Sequence, residues 1–263
     1  MKTAVSERSE RRAVFFTVKF IIISLVVCAV ALILNMAASV FAPDLIGGFI
    51  RVEASTDNSA IRWPVVIIDA GHGGMDSGAV GISGVHEKDL NLQISFILYD
   101  MLRANGVPVI MTRTEDKMLY TEDQDIKGQR KMYDLKNRLL VGRQNPEAIF
   151  ISIHMNKFPQ SQYSGLQIYY SPNNAASLPL AERVREYNKI YNQPNNNREV
   201  KKGNSSIYIL HHIKNPAILI ECGFLSNPEE CELLSREEYQ KKLSAVIFTA
   251  VMRYLSENTV QSN

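Results

Sequence analysis

Cysteine is scarce: Cys28, Cys222 and Cys231 are the only three in 263 residues. That is too few for a small disulfide scaffold, so the chain must stand on a hydrophobic core. Cys28 sits in an apolar stretch, and Cys222 and Cys231 read as unpaired packing residues with no disulfide expected between them. An excess of one charge is also missing. The formal net charge is +2, and no run of five Lys or Arg follows the first dozen residues, so no stripe suited to phosphates is present and nucleic acid is not an expected partner. Gly71, Gly73, Gly74, Gly78, Gly81 and Gly84 crowd one segment, yet they match neither G-x-G-x-x-G nor a Walker A, which removes the usual phosphate-binding turns. The H-E-x-x-H metalloprotease motif is absent too, because Leu90 stands where His86-Glu87 would need a second His. There is no internal repeat and no low-complexity tract. What remains is an ordinary globular composition, 46% hydrophobic and 21% charged, long enough for one or two domains.

The amino-terminal segment is distinctive. Residues 20–42 are apolar apart from Ser24, Asn35 and Ser39, and about 20 such residues span a bilayer. Lys2, Arg8, Arg11, Arg12 and Lys19 precede them. Positive charge stays cytoplasmic, so residues 1–19 are expected inside as a basic tail, 20–42 as a single transmembrane anchor, and everything after Pro43 outside. A cleaved signal peptide is the competing reading, since Val40-Phe41-Ala42 is an acceptable cleavage site, but the apolar run is longer than the roughly 7 to 15 residues usual there. Residues 51–62 lack apolar periodicity and read as a short tether, and 43–63 is expected to be a linker.

The folded domain is expected over 64–258, with 259–263 a tail. Residues 65–68 are a continuous β-branched run of the kind buried on both faces of a sheet. Leu90, Ile94, Ile97, Leu98, Met101 and Leu102 recur at helical spacing, and 107–111 forms the next strand, which makes a βαβ unit. A mostly polar helix is predicted over 127–144 with Tyr133, Leu135, Leu139 and Leu140 inward. Strands follow at 149–153, 165–170 and 217–220, with helices at 175–191 and 237–255 and a loop at 192–206. The fold class is α/β: one domain with a mixed, mostly parallel twisted sheet flanked by helices.

Functional groups in open α/β sheets gather past the carboxyl ends of strands. His72 follows the first strand in Asp69-Ala70-Gly71-His72-Gly73-Gly74, His154 ends another in Ile151-Ser152-Ile153-His154-Met155-Asn156, and Glu221 ends the last in Leu219-Ile220-Glu221-Cys222-Gly223. Glu87 opens the first helix. Two imidazoles and a carboxylate are the ligand set of hydrolytic zinc sites, which keep a fourth position for water, and a second carboxylate can carry the proton. His211 and His212 are adjacent on an expected short strand, so they point opposite ways and read as packing or surface residues. Arg113 reads as a structural ion-pair residue beneath the site, with a contact to a substrate carboxylate as its alternative role.

These residues resemble the zinc-dependent N-acetylmuramoyl-L-alanine amidases of the amidase 3 family. The likeness covers about 64–256 and rests on five blocks in order: 67–78, Glu87-Lys88-Asp89-Leu90-Asn91-Leu92, Met111-Thr112-Arg113, 151–156 and Glu221-Cys222-Gly223-Phe224-Leu225-Ser226-Asn227. It implies that His72, Glu87 and His154 bind Zn2+, that Glu221 is catalytic, and that the substrate is peptidoglycan. The chain departs from the family's pattern at Ala70, often Pro, and at Cys222, often a small or apolar residue, which places a soft ligand near the metal. The anchor, the absence of a wall-binding repeat domain, and 129–135 and 157–170 resemble the sporulation-linked, germination-specific branch. That implies removal of stem peptides on the way to muramic-δ-lactam in spore cortex, with a second enzyme deacetylating and closing the lactam. The implied location is the cell membrane, single-pass, with the catalytic domain extracytoplasmic. Two alternatives stand beside this reading: a zinc peptidase that cuts within the stem, and an inactive amidase-like protein that only binds peptidoglycan.

Overall fold

A computed structural model describes residues 62–259. The expected anchor at 20–42 lies outside the described residues, and among those described no helix is long and apolar enough to cross a membrane.

Six strands form one sheet: β1 (Val66–Ala70), β2 (Val109–Met111), β3 (Ile149–Asn156), β4 (Gln167–Tyr170), β5 (Lys201–Lys202) and β6 (Ala217–Phe224). Their order is β2-β1-β3-β6-β4-β5. The first four in that order are parallel, and β4 runs antiparallel to β6 with β5 parallel to β4. The helices are α1 (Glu87–Ala104), α2 (Arg130–Gln144), α3 (Ser177–Tyr191), α4 (Tyr208–His212), α5 (Pro228–Leu234) and α6 (Glu237–Thr259). The mixed, mostly parallel sheet read from the sequence is thus present.

Strand alternation sends side chains to two cores. Val66, Ile68, Ile151, Ile153, Ile218 and Ile220 pack against Leu90, Ile94 and Leu98 of α1, Val184 of α3, and Ile247 and Val251 of α6. Ile67, Phe150 and Leu219 face the other way, against Leu139 of α2 and Ile209 and Leu210 of α4. Burying each such aliphatic side chain contributes roughly 1.5–3 kcal/mol. The second face is covered only in part, and the carboxyl-terminal half of its central strands is where the polar side chains emerge.

Several expectations change. β3 and β6 run on to Asn156 and Phe224, so His154 and Glu221 lie inside strands and not at their ends. The 192–206 segment contains β5. His211 and His212 are exposed on α4, a short helix and not a strand. α5 was not foreseen, although Asn227 caps it by accepting from the Glu230 N–H and Pro228 begins it. On α2, Leu140 is 45% exposed while Asp134 and Arg138 are buried, because the chain places carboxylate and guanidinium partners where an apolar contact was expected. Cys222 and Cys231 are both buried and unpaired.

Candidate metal centre

β1 delivers Asp69, Gly71 and His72 to the open half of the sheet, and a buried polar network fixes how. Arg138 donates from Nη1 to Asp69 Oδ1 and to the Ala70 carbonyl, both at 2.7 Å, and from Nε to Asp134 Oδ2 at 2.8 Å. Its Nη2 reaches the His72 carbonyl at 2.6 Å. Asp69 also accepts from Thr112 Oγ1 at 2.8 Å and Ser152 Oγ at 2.6 Å. Burial pushes the Asp69 carboxyl up, but Arg138 and Ser152 outweigh it and hold it below the usual range. His72 has φ 60°, the left-handed region that non-glycine residues rarely occupy, and the Arg138 bond to its carbonyl holds it there. Arg113 spends its donors on the carbonyls of Ala70, Gly71, Lys88 and Glu115 at 2.7–3.0 Å, so it clamps the loop through backbone carbonyls and not through the ion pair expected from the sequence.

His72, Glu87 and His154 meet beyond this platform, with ligand atoms all within 4.8 Å of one another. Glu87 Oε1 lies 3.2 Å from His72 Nε2 and 3.0 Å from His154 Nδ1. It also accepts the Met155 N–H at 3.0 Å, while Oε2 accepts the Ala79 N–H at 2.7 Å. Two glycines make room. A Cβ on Gly71 would stand 2.3 Å from the His154 ring, and one on Gly78, at φ +64°, 2.5 Å from Glu87 Oε2.

The donor set fits a cation. His72 Nδ1 lies 2.9 Å from Asp76 Oδ2, so Nδ1 carries the proton and a neutral ring turns the bare lone pair of Nε2 towards Glu87 Oε1. Lone pair would face lone pair unless a proton or a metal ion stood between them. In the metal-free protein a proton takes the place: burial disfavours the imidazolium, but Asp76 and Glu87 outweigh it and raise His72 to about 9. Burial likewise acts to raise Glu87, and the two imidazoles overcome it, holding the carboxyl well below its usual range. Asp76, which also meets Lys131 Nζ at 3.1 Å, was not singled out in the sequence; its position four residues after His72 in a turn was the available signal.

Glu221 sits beside this cluster, paired in register with His154 across β3 and β6 and therefore on the same face. The residue is part-exposed, but its Oε2 is shielded from solvent with no hydrogen-bond partner among the described residues. Burial, with Glu87 adding to it and the imidazoles opposing, raises its carboxyl to about 7. Cys222 does not face the His-Glu-His cluster, where the sequence suggested a soft ligand. One residue further along the strand, it points into the opposite core, fully buried, and burial pushes its thiol up.

The His-Glu-His cluster at the open end of the sheet is a candidate metal site in an α/β fold, and the comparisons give the class and the family. Residues 66–253 match the amidase 3 family, N-acetylmuramoyl-L-alanine amidase, and the chain belongs to it. It is therefore an amidase of peptidoglycan. Over 193 residues it is 36% identical to the germination-specific N-acetylmuramoyl-L-alanine amidase of Bacillus subtilis (strain 168), covering 73% of this chain and 80% of that one. Among solved structures it is similar to the CwlD amidase from Clostridioides difficile in complex with the GerS lipoprotein, at 40% identity and TM-score 0.69, over 73% of this chain and 98% of that one. It is also similar to the catalytic domain of CwlV from Bacillus (Paenibacillus) polymyxa var. colistinus, at 31% identity and TM-score 0.61, over 73% and 98% of the two chains.

Proposed function

We propose that the protein hydrolyses the amide between N-acetylmuramic acid and L-alanine in a zinc-dependent reaction, removing stem peptides during formation of muramic-δ-lactam in spore cortex. The observation that carries this reading is the placement of Glu221, its Oε2 buried without a partner among the described residues, in register with His154 beside a His-Glu-His set whose geometry calls for a cation. His72, Glu87 and His154 would hold the ion, and Asp76 would fix the His72 tautomer from behind. Zinc, when bound, supplies a Lewis acid that polarises the scissile carbonyl and makes water acidic enough to attack at neutral pH. Glu221 takes the proton from the attacking water and passes it to the departing alanine nitrogen. One water is consumed, the C–N bond breaks, the lactyl group leaves as an acid and the stem as a free amine.

The cortex role is supported by the likeness to the germination-specific enzyme and to CwlD. The apolar segment at 20–42 would carry the domain on the outer side of the membrane. That CwlD structure contains a lipoprotein, a partner compatible with a membrane-held enzyme. Mass spectrometry of cortex-type peptidoglycan digested with and without chelator tests the reaction. Intact stem peptides beginning with L-alanine, lost on chelation, are expected. Peptides cut within the stem, with the lactyl amide whole, would show a peptidase instead.

A further inference from the structure

Gln167, Tyr169 and Lys201 continue the face that carries Glu221. Gln167 is paired in register with Glu221 across β6 and β4, and Tyr169 with Lys201 across β4 and β5, so all four side chains leave the sheet on one side. Gln167, Tyr169 and Lys201 line a cleft of about 190 Å³ next to Glu221 along the sheet. One wall is aromatic: Phe158 stacks edge-on with Tyr163 at 5.4 Å, and both approach Phe224. Arg198 lies over Phe224 at 4.8 Å, and its Nε donates to the Ser164 carbonyl at 2.9 Å.

The cations of this cleft lack an acidic partner: neither Arg198 nor Lys201 has a carboxylate within ion-pair distance among the described residues. The acids close by are engaged elsewhere: Glu199 with Arg185 at 3.0 Å, and Glu230 with the Phe224 and Gly165 N–H groups at 2.8 Å. Gln167 is 2% exposed, and its Oε1 has no donor among the described residues. The cleft therefore offers two cations for an anion, an acceptor for an N–H, and an aromatic wall. Those are the needs of an acidic peptide.

The reaction supplies the direction. A residue that hands a proton to the leaving nitrogen must stand on the leaving group's side of the scissile bond. Along the sheet the order is His72, His154, Glu221, then the cleft. We propose that this cleft is the subsite for the departing stem peptide, with a stem carboxylate on Arg198 and Lys201 and a peptide N–H on Gln167, while the glycan extends the other way. The inference rests on the amidase reading with Glu221 as proton carrier.

The test uses two synthetic muropeptides with the same disaccharide and stem, one with free stem carboxylates and one with each of them amidated. The wild type is expected to prefer the free acid about tenfold in kcat/KM, through KM, as a charge-assisted pair at a part-exposed site allows. Arg198→Gln/Lys201→Gln should bring that ratio near one. Lys201→Ala alone, at an exposed site, should give an intermediate ratio, and Lys202→Ala, on the opposite face of β5, should keep the wild-type preference. A wild type that cleaves both substrates without preference, or a double variant that retains it, would overturn the subsite. A wild type that releases an intact stem from neither would overturn the amidase reading itself.

Discussion

Glu221→Gln separates chemistry from structure, because the substitution keeps shape and removes charge. General acid–base catalysis contributes about 10² to 10⁴ in rate, so the zinc-loaded variant should lose on the order of 3 to 5 kcal/mol of transition-state stabilisation while keeping its metal. The same burial that suits Glu221 to the reaction strains the fold. In metal-free protein the carboxyl is lifted from an ordinary 4.5 to about 7, which corresponds to roughly 3 kcal/mol once it ionises. Below pH 4.5 the group is protonated folded and unfolded, and there is no loss. Between 4.5 and about 7 the wild type loses stability as pH rises, and above that the loss is complete. Glutamine cannot ionise. Chelated wild type and variant should therefore unfold alike at pH 4, and the variant should be more stable at pH 8 by up to about 3 kcal/mol. Denaturant unfolding at the two pH values and turnover at neutral pH on the zinc-loaded protein read both effects. A folded, zinc-loaded variant with near-normal turnover, or one no more stable at pH 8, would refute the reasoning.

Arg138→Met should destabilise the domain by about 3–5 kcal/mol, since it leaves the buried Asp69 and Asp134 carboxylates without their cation; urea unfolding measures it, and a loss under about 1 kcal/mol would show that the network is dispensable. Protease added outside protoplasts should digest the catalytic domain and spare residues 1–19, whereas protection of the whole chain would contradict the outward topology.

The strands and helices were legible where burial follows one period. The β-branched run ending at Ile68 and the four-residue spacing of Leu90, Ile94, Leu98 and Leu102 each sit where a two-sided sheet and an amphipathic helix require them. That His72, Glu87 and His154 cluster was legible because each is a potential ligand near the carboxyl end of a strand or at the start of the helix that follows one. What the sequence hid was long-range polar pairing. Asp134 and Arg138 look like surface charges on a polar helix until β1 brings Asp69 against them, and Leu140 turns outward as a result. Cys222 looked like a neighbour of the metal because it follows Glu221, yet a strand sends successive side chains to opposite faces. The His72–Asp76 contact depends on a left-handed backbone angle at His72 that composition does not announce.

Zinc bound per chain, measured on the wild type and on His72→Ala, Glu87→Ala and His154→Ala purified in parallel with assay of stem-peptide release, bears most directly on the proposed centre. The wild type should carry one zinc and release intact stem peptides, and each variant should lose both, because a three-ligand site with one ligand gone retains little chelate advantage. Full zinc in any one variant would strike that residue from the ligand set, and a zinc-free wild type with undiminished release would contradict metal-dependent hydrolysis altogether.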